Sequence, residues 1–151
     1  MSEAYIHATA VLIGEAGVLL RGRSGAGKSG LSAALIELAR ARGLCARLIG
    51  DDRVAAQAVH GRVLLTPHKA IAGVAERRWR GLAMVEHEPA AVLRLVVDLM
   101  DPSTPDGPER LPRAESRRAS VAGVTVERLC LPIGDPCAID AIFEAARNLG
   151  S

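Results

Sequence analysis

Gly22-Arg23-Ser24-Gly25-Ala26-Gly27-Lys28-Ser29 follows directly on an apolar run, Val18-Leu19-Leu20-Arg21. It opens onto a stretch in which Leu31, Leu35, Leu38 and Arg42 recur at helical spacing. The order of strand, glycine-rich loop and helix decides the fold reading, because every fixed position of G-x-x-x-x-G-K-[ST] is filled. The glycines let successive backbone N–H groups converge on phosphate oxygens with no Cβ in the way. The helix expected over Lys28–Arg42, closed by Gly43, adds its free N–H groups and the positive end of its dipole. Lys28 brings a cation to the β- and γ-phosphates, and the Ser29 hydroxyl is a ligand for Mg²⁺. Lysine is otherwise found only at Lys69, in a chain with 19 basic residues. The segment reads as the binding loop of a nucleoside triphosphate or a related polyphosphate.

Outward from this loop the pattern alternates between short apolar runs and turns. Tyr5–Ile13 reads as one strand, followed by a turn over Gly14–Gly17 and a second strand, Val18–Arg21. After the helix, Cys45–Ile49 is a buried strand running into Gly50-Asp51-Asp52. Val54–Val59 and Val63–Thr66 flank His60-Gly61 as a hairpin. Alanine-rich Ala70–Arg80 suggests a helical turn or two ending at Gly81. Ala91–Met100 has the composition of a central strand. Residues 101–118 carry Pro102, Pro105, Pro108 and Pro112 among charges and read as a long loop. A strand pair around Gly123 (Ser120–Val121 and Val124–Leu131) and a helix over Pro136–Leu149 complete the chain. In that helix Ile139, Ile142, Phe143 and Ala146 share a face, and Asp135 is the N-cap. The expectation is one α/β P-loop domain over residues 1–151, richer in strand than in helix.

At 151 residues, 49% hydrophobic and 24% charged, the chain is long enough for one aliphatic core and too apolar to be disordered. Its only aromatics are Tyr5, Trp79 and Phe143, too few for a base-stacking platform. The net charge of +2 argues against nucleic-acid or membrane partners. Cys45, Cys130 and Cys137 form no paired framework and read as buried thiols in a reducing compartment. With no signal-peptide pattern and no apolar run of membrane length, a soluble, cytoplasmic protein is expected.

A phosphate loop needs a carboxylate at a neighbouring strand end, and two candidates compete. Leu95-Val96-Val97-Asp98 is a hydrophobic strand ending in Asp. Leu48-Ile49-Gly50-Asp51-Asp52 offers two adjacent carboxylates, able to divide proton acceptance and metal binding.

At this point the residues resemble a known family. His7 before the loop, Gly22–Ser29, the helix and "LIGDDRV" (Leu48–Val54) are similar to the C-terminal catalytic domain of HPr kinase/phosphorylase, in a short form lacking the N-terminal domain. "WRGLAMV" (Trp79–Val85), Arg110 in "ERLP" and "CLPIGDPCAIDAIFEAARN" (Cys130–Asn148) extend the likeness in order along nearly the whole chain. The resemblance implies a fold akin to phosphoenolpyruvate carboxykinase: a strand-rich mixed sheet with a P-loop helix and a C-terminal helix. It also implies transfer of the ATP γ-phosphate to a serine of HPr or a related phosphocarrier, with Mg²⁺, by a homo-oligomer that is hexameric in the family. Carried over residue by residue, Asp51 is the general base, Asp52 with Ser29 serves the metal, and His7, Lys28 and Arg110 support the transferred phosphate. Two positions depart from the family pattern. Arg78 stands where the family has a metal-binding Glu, the nearest acid being Glu76. Ile133-Gly134-Asp135-Pro136-Cys137 replaces an arginine-containing stretch associated with the reverse reaction, which puts phosphorolysis in doubt. Two other readings compete with a protein kinase: a P-loop kinase of a small metabolite, and a nucleotide-binding sensor without transfer activity.

Overall fold

The computed structural model describes residues 3–68, 74–77, 81–84, 89–103 and 117–149, and side chains within 5–68, 89–103 and 117–149. Eleven strands and two helices are described. β1 (Glu3–Ile6), β2 (Thr9–Ile13) and β3 (Ala16–Arg21) lead into the phosphate loop and α1 (Lys28–Ala41). β4 (Ala46–Gly50), β5 (Val54–Val59) and β6 (Arg62–Pro67) follow, then a separate antiparallel pair, β7 (Val74–Arg77) and β8 (Gly81–Met84). β9 (Ala91–Met100), β10 (Arg118–Val121), β11 (Val124–Pro132) and α2 (Ala138–Leu149) complete the order.

β9 is the strand on which the sheet is organised. Its first residues pair antiparallel with β6, at Leu64↔Val92 and Leu65↔Ala91. Further along it lies between β3 and β11, parallel to both. The continuous order is β1-β5-β6-β9-β3-β2-β4, with β10 and β11 branching from β9. A strand with neighbours on both edges and cover on both faces must be apolar nearly throughout, which is why Ala91–Met100 reads so clearly in the sequence. On one face Val11, Val18, Leu20, Leu48, Leu95, Val97 and Leu99 pack with Leu35 of α1 and Ile142 and Phe143 of α2. On the other, Leu19, Ile49, Leu93 and Val96 meet Val54, Ala56, Val63 and Leu65 of the β5–β6 hairpin, with Val121 and Val126. The sheet thus curls over a second core. Among the described residues both cores are aliphatic apart from Phe143, which carries the Arg42 guanidinium 5.3 Å above its ring.

Two charged strands beside β9 are bolted to it. Asp98 accepts hydrogen bonds from Arg21 Nε and Nη2 at 2.7 and 2.8 Å, and from Arg128 Nε at 2.6 Å. In register, Arg21 lies opposite Asp98 on β3, and Cys130 lies opposite it on β11, two residues from Arg128. Burial raises the Asp98 pKa, but the hydrogen bonds from Arg21 and Arg128 outweigh it and hold the carboxyl below its ordinary value. Asp98 is therefore an ionised structural strut rather than a solvated strand end.

Several expectations are corrected. Tyr5–Ile13 is two strands: β1 pairs with β5 while β2 pairs with β3 and β4, and the chain bends at His7-Ala8 to change neighbours. Within Ala70–Arg80, Val74–Arg77 is not helical but forms β7, because pairing with β8 outweighs the helix preference of its alanine; the rest of that stretch lies outside the described residues. Of the long loop over 101–118, residues 104–116 also lie outside them, Arg118 begins β10, and Ser103 donates its N–H and Oγ–H to Asp101 Oδ1. α2 begins at Ala138 rather than Pro136, with Asp135 Oδ1 accepting from the Cys137 N–H in the turn before it. The cysteines are not the buried thiols expected: Cys45 and Cys137 are exposed and Cys130 half-buried, since the first two flank elements and the third lies on β11.

Where β3 meets β9, an added Cβ at Gly17 would lie 2.6 Å from the Val92 carbonyl oxygen, inside any tolerable contact. Gly17→Ala is expected to destabilise the protein by about 1–3 kcal/mol through this backbone clash, measured by urea unfolding. Asp98→Asn strips two guanidinium groups of their counter-charge and is expected to cost about 2–3 kcal/mol at neutral pH. The folded protein binds the Asp98 proton less readily than the unfolded chain does. The carboxylate's contribution is therefore complete above pH ~4 and fades as pH falls through the lowered folded-state value. Urea titrations of the parent and Asp98→Asn should show a stability gap at pH 7 that narrows at pH 3; a constant gap would contradict the ion-pair account.

Candidate active site

The phosphate loop joins the end of β3 to α1. Gly25 and Gly27 adopt φ of 85° and 90°, conformations that side-chain-bearing residues enter at a cost, and an added Cβ at either would meet nothing. Gly27 is the N-cap of α1 and makes no side-chain cap hydrogen bond. The first helical N–H groups therefore face the loop's mouth, as anion binding requires. Lys28 is only 7% exposed, and its Nζ donates to the Gly22 and Arg23 carbonyls at 2.7 and 3.0 Å. Its charge is thereby stored across the cradle.

β4 delivers the two aspartates, and they lie in different surroundings. Asp51 is 4% exposed, and its Oδ1 accepts from Ser29 Oγ at 2.7 Å and from Thr9 Oγ1 at 2.8 Å. Burial of a carboxylate is costly without such donors. Asp52 faces outward: its Oδ1 lies 2.6 Å from His7 Nε2, with the two side chains 66% and 51% exposed. Its φ of 70° is left-handed, a conformation Asp tolerates better than most residues, and its carbonyl accepts from the Ala8 N–H at 3.1 Å. Asp52 thus ties the bend between β1 and β2 through both backbone and side chain.

The structure brings His7, Lys28, Ser29, Asp51 and Asp52 to one end of the sheet, beside the loop residues Gly22, Arg23, Ser24, Gly25, Ala26 and Gly27. It leaves Asp98 out of that group, bound to Arg21 and Arg128. Glu76 is in β7, opposite Leu82; Arg78 and Arg110 lie outside the described residues. Sequence reading missed Thr9: it lies beyond the His7-Ala8 bend, and the pairing of β2 with β4 is what brings its hydroxyl to Asp51. Ser29 Oγ and Asp51 provide hard oxygen donors suited to Mg²⁺, which takes few protein ligands and completes its shell with phosphates and water. Among the described residues no group of three or more His, Cys, Asp or Glu side chains gathers as a metal cage.

The family model for the HPr Serine kinase C-terminal domain matches residues 1–149. Among solved structures, that of the Hpr(Ser) kinase/phosphatase from Coxiella burnetii aligns with a TM-score of 0.74 at 23% identity, covering 96% of this chain and 95% of that one. At this identity the likeness speaks for the fold: the strand-rich sheet with its phosphate-loop helix and second helix. No curated protein matches the chain. Among the described residues no helix is long and apolar enough to cross a membrane. With phosphate loop, paired aspartates and sheet order in place, and the family match running from the first residue to Leu149, the chain belongs to the HPr serine kinase C-terminal domain family.

Proposed function

We propose that the protein is an ATP-dependent serine kinase whose acceptor is HPr or a related phosphocarrier protein. The observation that carries this reading is the pairing of a phosphate loop with two adjacent carboxylates in contrasting environments, one buried against Ser29 and one exposed beside His7. The loop N–H groups and Lys28 bind the triphosphate. Mg²⁺, when bound, supplies charge neutralisation at the β- and γ-phosphates, and Ser29 with Asp51 would hold it. An acceptor hydroxyl must surrender a proton as it attacks phosphorus, to a group that a docked protein can reach. Asp52 meets that requirement better than Asp51, and His7 orients its carboxylate.

This allocation exchanges the roles that family resemblance alone assigns to the two aspartates. The exposure of the His7–Asp52 pair favours a protein acceptor over a small metabolite in a closed pocket. Arg110 supports the transferred phosphate in this reading, and homo-oligomerisation follows the family habit. Forward transfer is the favoured direction, because Asp135 replaces positive charge in the closing stretch and repels an incoming phosphate.

The direct assay is labelled ATP, Mg²⁺ and purified HPr, read as phosphoserine; no label under saturating ATP would favour the sensor reading. Lys28→Ala should weaken ATP binding by more than tenfold, or about 1.4 kcal/mol, in calorimetry. Unchanged affinity would sink the phosphate-loop assignment. Asp52→Asn should lower transfer by ~10² or more and spare ATP affinity, whereas Asp51→Asn should weaken Mg²⁺-dependent ATP binding itself. If Asp51→Asn spares binding and abolishes transfer while Asp52→Asn does neither, Asp51 is the base.

A further inference from the structure

An apolar groove of about 310 Å³ runs from the phosphate loop, at Ala26 and Gly27, to the start of α2 at Ala138 and Ile139. Leu31 and Ala34 of α1 form one wall, and Leu99, Pro132 and Ile139 the other. Its volume is at the lower end of small-molecule sites, enough for a flat heterocycle and part of its sugar. Gly30 lines it where α1 begins, and an added Cβ there would meet nothing. In a helix this glycine is less favourable than alanine, and no described atom of the protein requires it. It leaves the passage between loop and groove open.

Resting on the phosphate-loop reading, we propose that this groove receives the nucleobase of the phosphate donor. Strand order makes the argument directional. β11-β9-β3-β2-β4 places the loop in the middle, the carboxylates of β4 on one side, and the groove, built from the ends of β9 and β11, on the other. A triphosphate lying in the loop with its terminal phosphoryl toward Asp51 and Asp52 has its nucleoside end toward the groove. Among the described residues nothing aromatic lines the groove, so the base is held by aliphatic contact with its faces rather than by stacking. Asp135 is the one charged side chain among its described residues, and its Oδ1 already accepts from the Cys137 N–H. Faces are common to all bases while edges differ, so the groove separates adenine from guanine weakly, by less than about tenfold.

The test compares calorimetric affinities of ATP, GTP and inorganic tripolyphosphate, and maps the peptides labelled by photoactivated 8-azido-ATP. The unmodified protein should bind both nucleotides at least tenfold more tightly than tripolyphosphate, with the label in 30–38 or 132–139. Ala34→Phe, which plugs the wall from the half-exposed side of α1, should remove that advantage and leave tripolyphosphate affinity unchanged. Equal affinity for ATP and tripolyphosphate, or label confined to other peptides, would overturn the groove assignment while the loop assignment stands. A preference of ATP over GTP well above tenfold would overturn binding through the faces of the base. Absence of binding by all three ligands would remove the phosphate-loop reading, and the groove with it. The photolabel needs no variant, so misfolding of Ala34→Phe does not rescue the proposal.

Discussion

The site hangs on one buried carboxylate. Asp51 Oδ1 is shared by two hydroxyl donors from different elements, Ser29 at the start of α1 and Thr9 at the start of β2. Burying a carboxylate is costly without donors, so these two hydroxyls tie the loop helix to the sheet through it. The candidate site residues are all placed by reference to this point: the loop glycines precede Ser29, Asp52 follows Asp51, and His7 precedes Thr9 by two residues. Restraint comes from outside the loop as well. The β9 strut, Asp98 between Arg21 and Arg128, fixes β3 one residue before Gly22.

The division between these two carboxylate sites explains an apparent redundancy. A hydrophobic strand ending in Asp beside a phosphate loop would ordinarily supply the metal-side acid. Here that acid is neutralised by two guanidinium groups, and its depressed pKa reports structural use. The two adjacent acids come from the opposite side of β3, across β2. One consequence is lateral: His7 and Asp52 are exposed beside β4 and the β1–β2 bend, the side on which the proposed acceptor would approach.

Much of the fold was legible because its signals are local. The loop motif, the Gly43 stop of α1, the turns at His60-Gly61 and Ala122-Gly123, and the apolar length of β9 each follow from a few neighbouring residues. Phe143 and Ile142 identify the buried face of α2 for the same reason. What escaped needed partners far along the chain. The break at His7-Ala8 exists because β1 and β2 serve different neighbours, and β7 is a strand because β8 pairs with it. Arg21, Asp98 and Arg128 become one cluster only when the registers of β3 and β11 on β9 are known. The cysteines were misjudged for another reason: small residues are often buried, but a residue flanking an element takes the exposure of that place.

The candidate site was legible as a list and not as a division of labour. Asp51 and Asp52 are adjacent and chemically identical, so their sequence positions cannot assign the roles. The backbone just past β4 separates their surroundings: Asp51, the first residue after the strand, is buried against the Ser29 and Thr9 hydroxyls, and Asp52 is exposed beside His7. The left-handed backbone at Asp52 turns the chain immediately after the buried acid. A buried acid that accepts from hydroxyls of two elements is held in place, and an exposed acid beside His7 remains open to solvent. Two neighbouring carboxylates can therefore serve binding and proton transfer separately, without either needing a second strand.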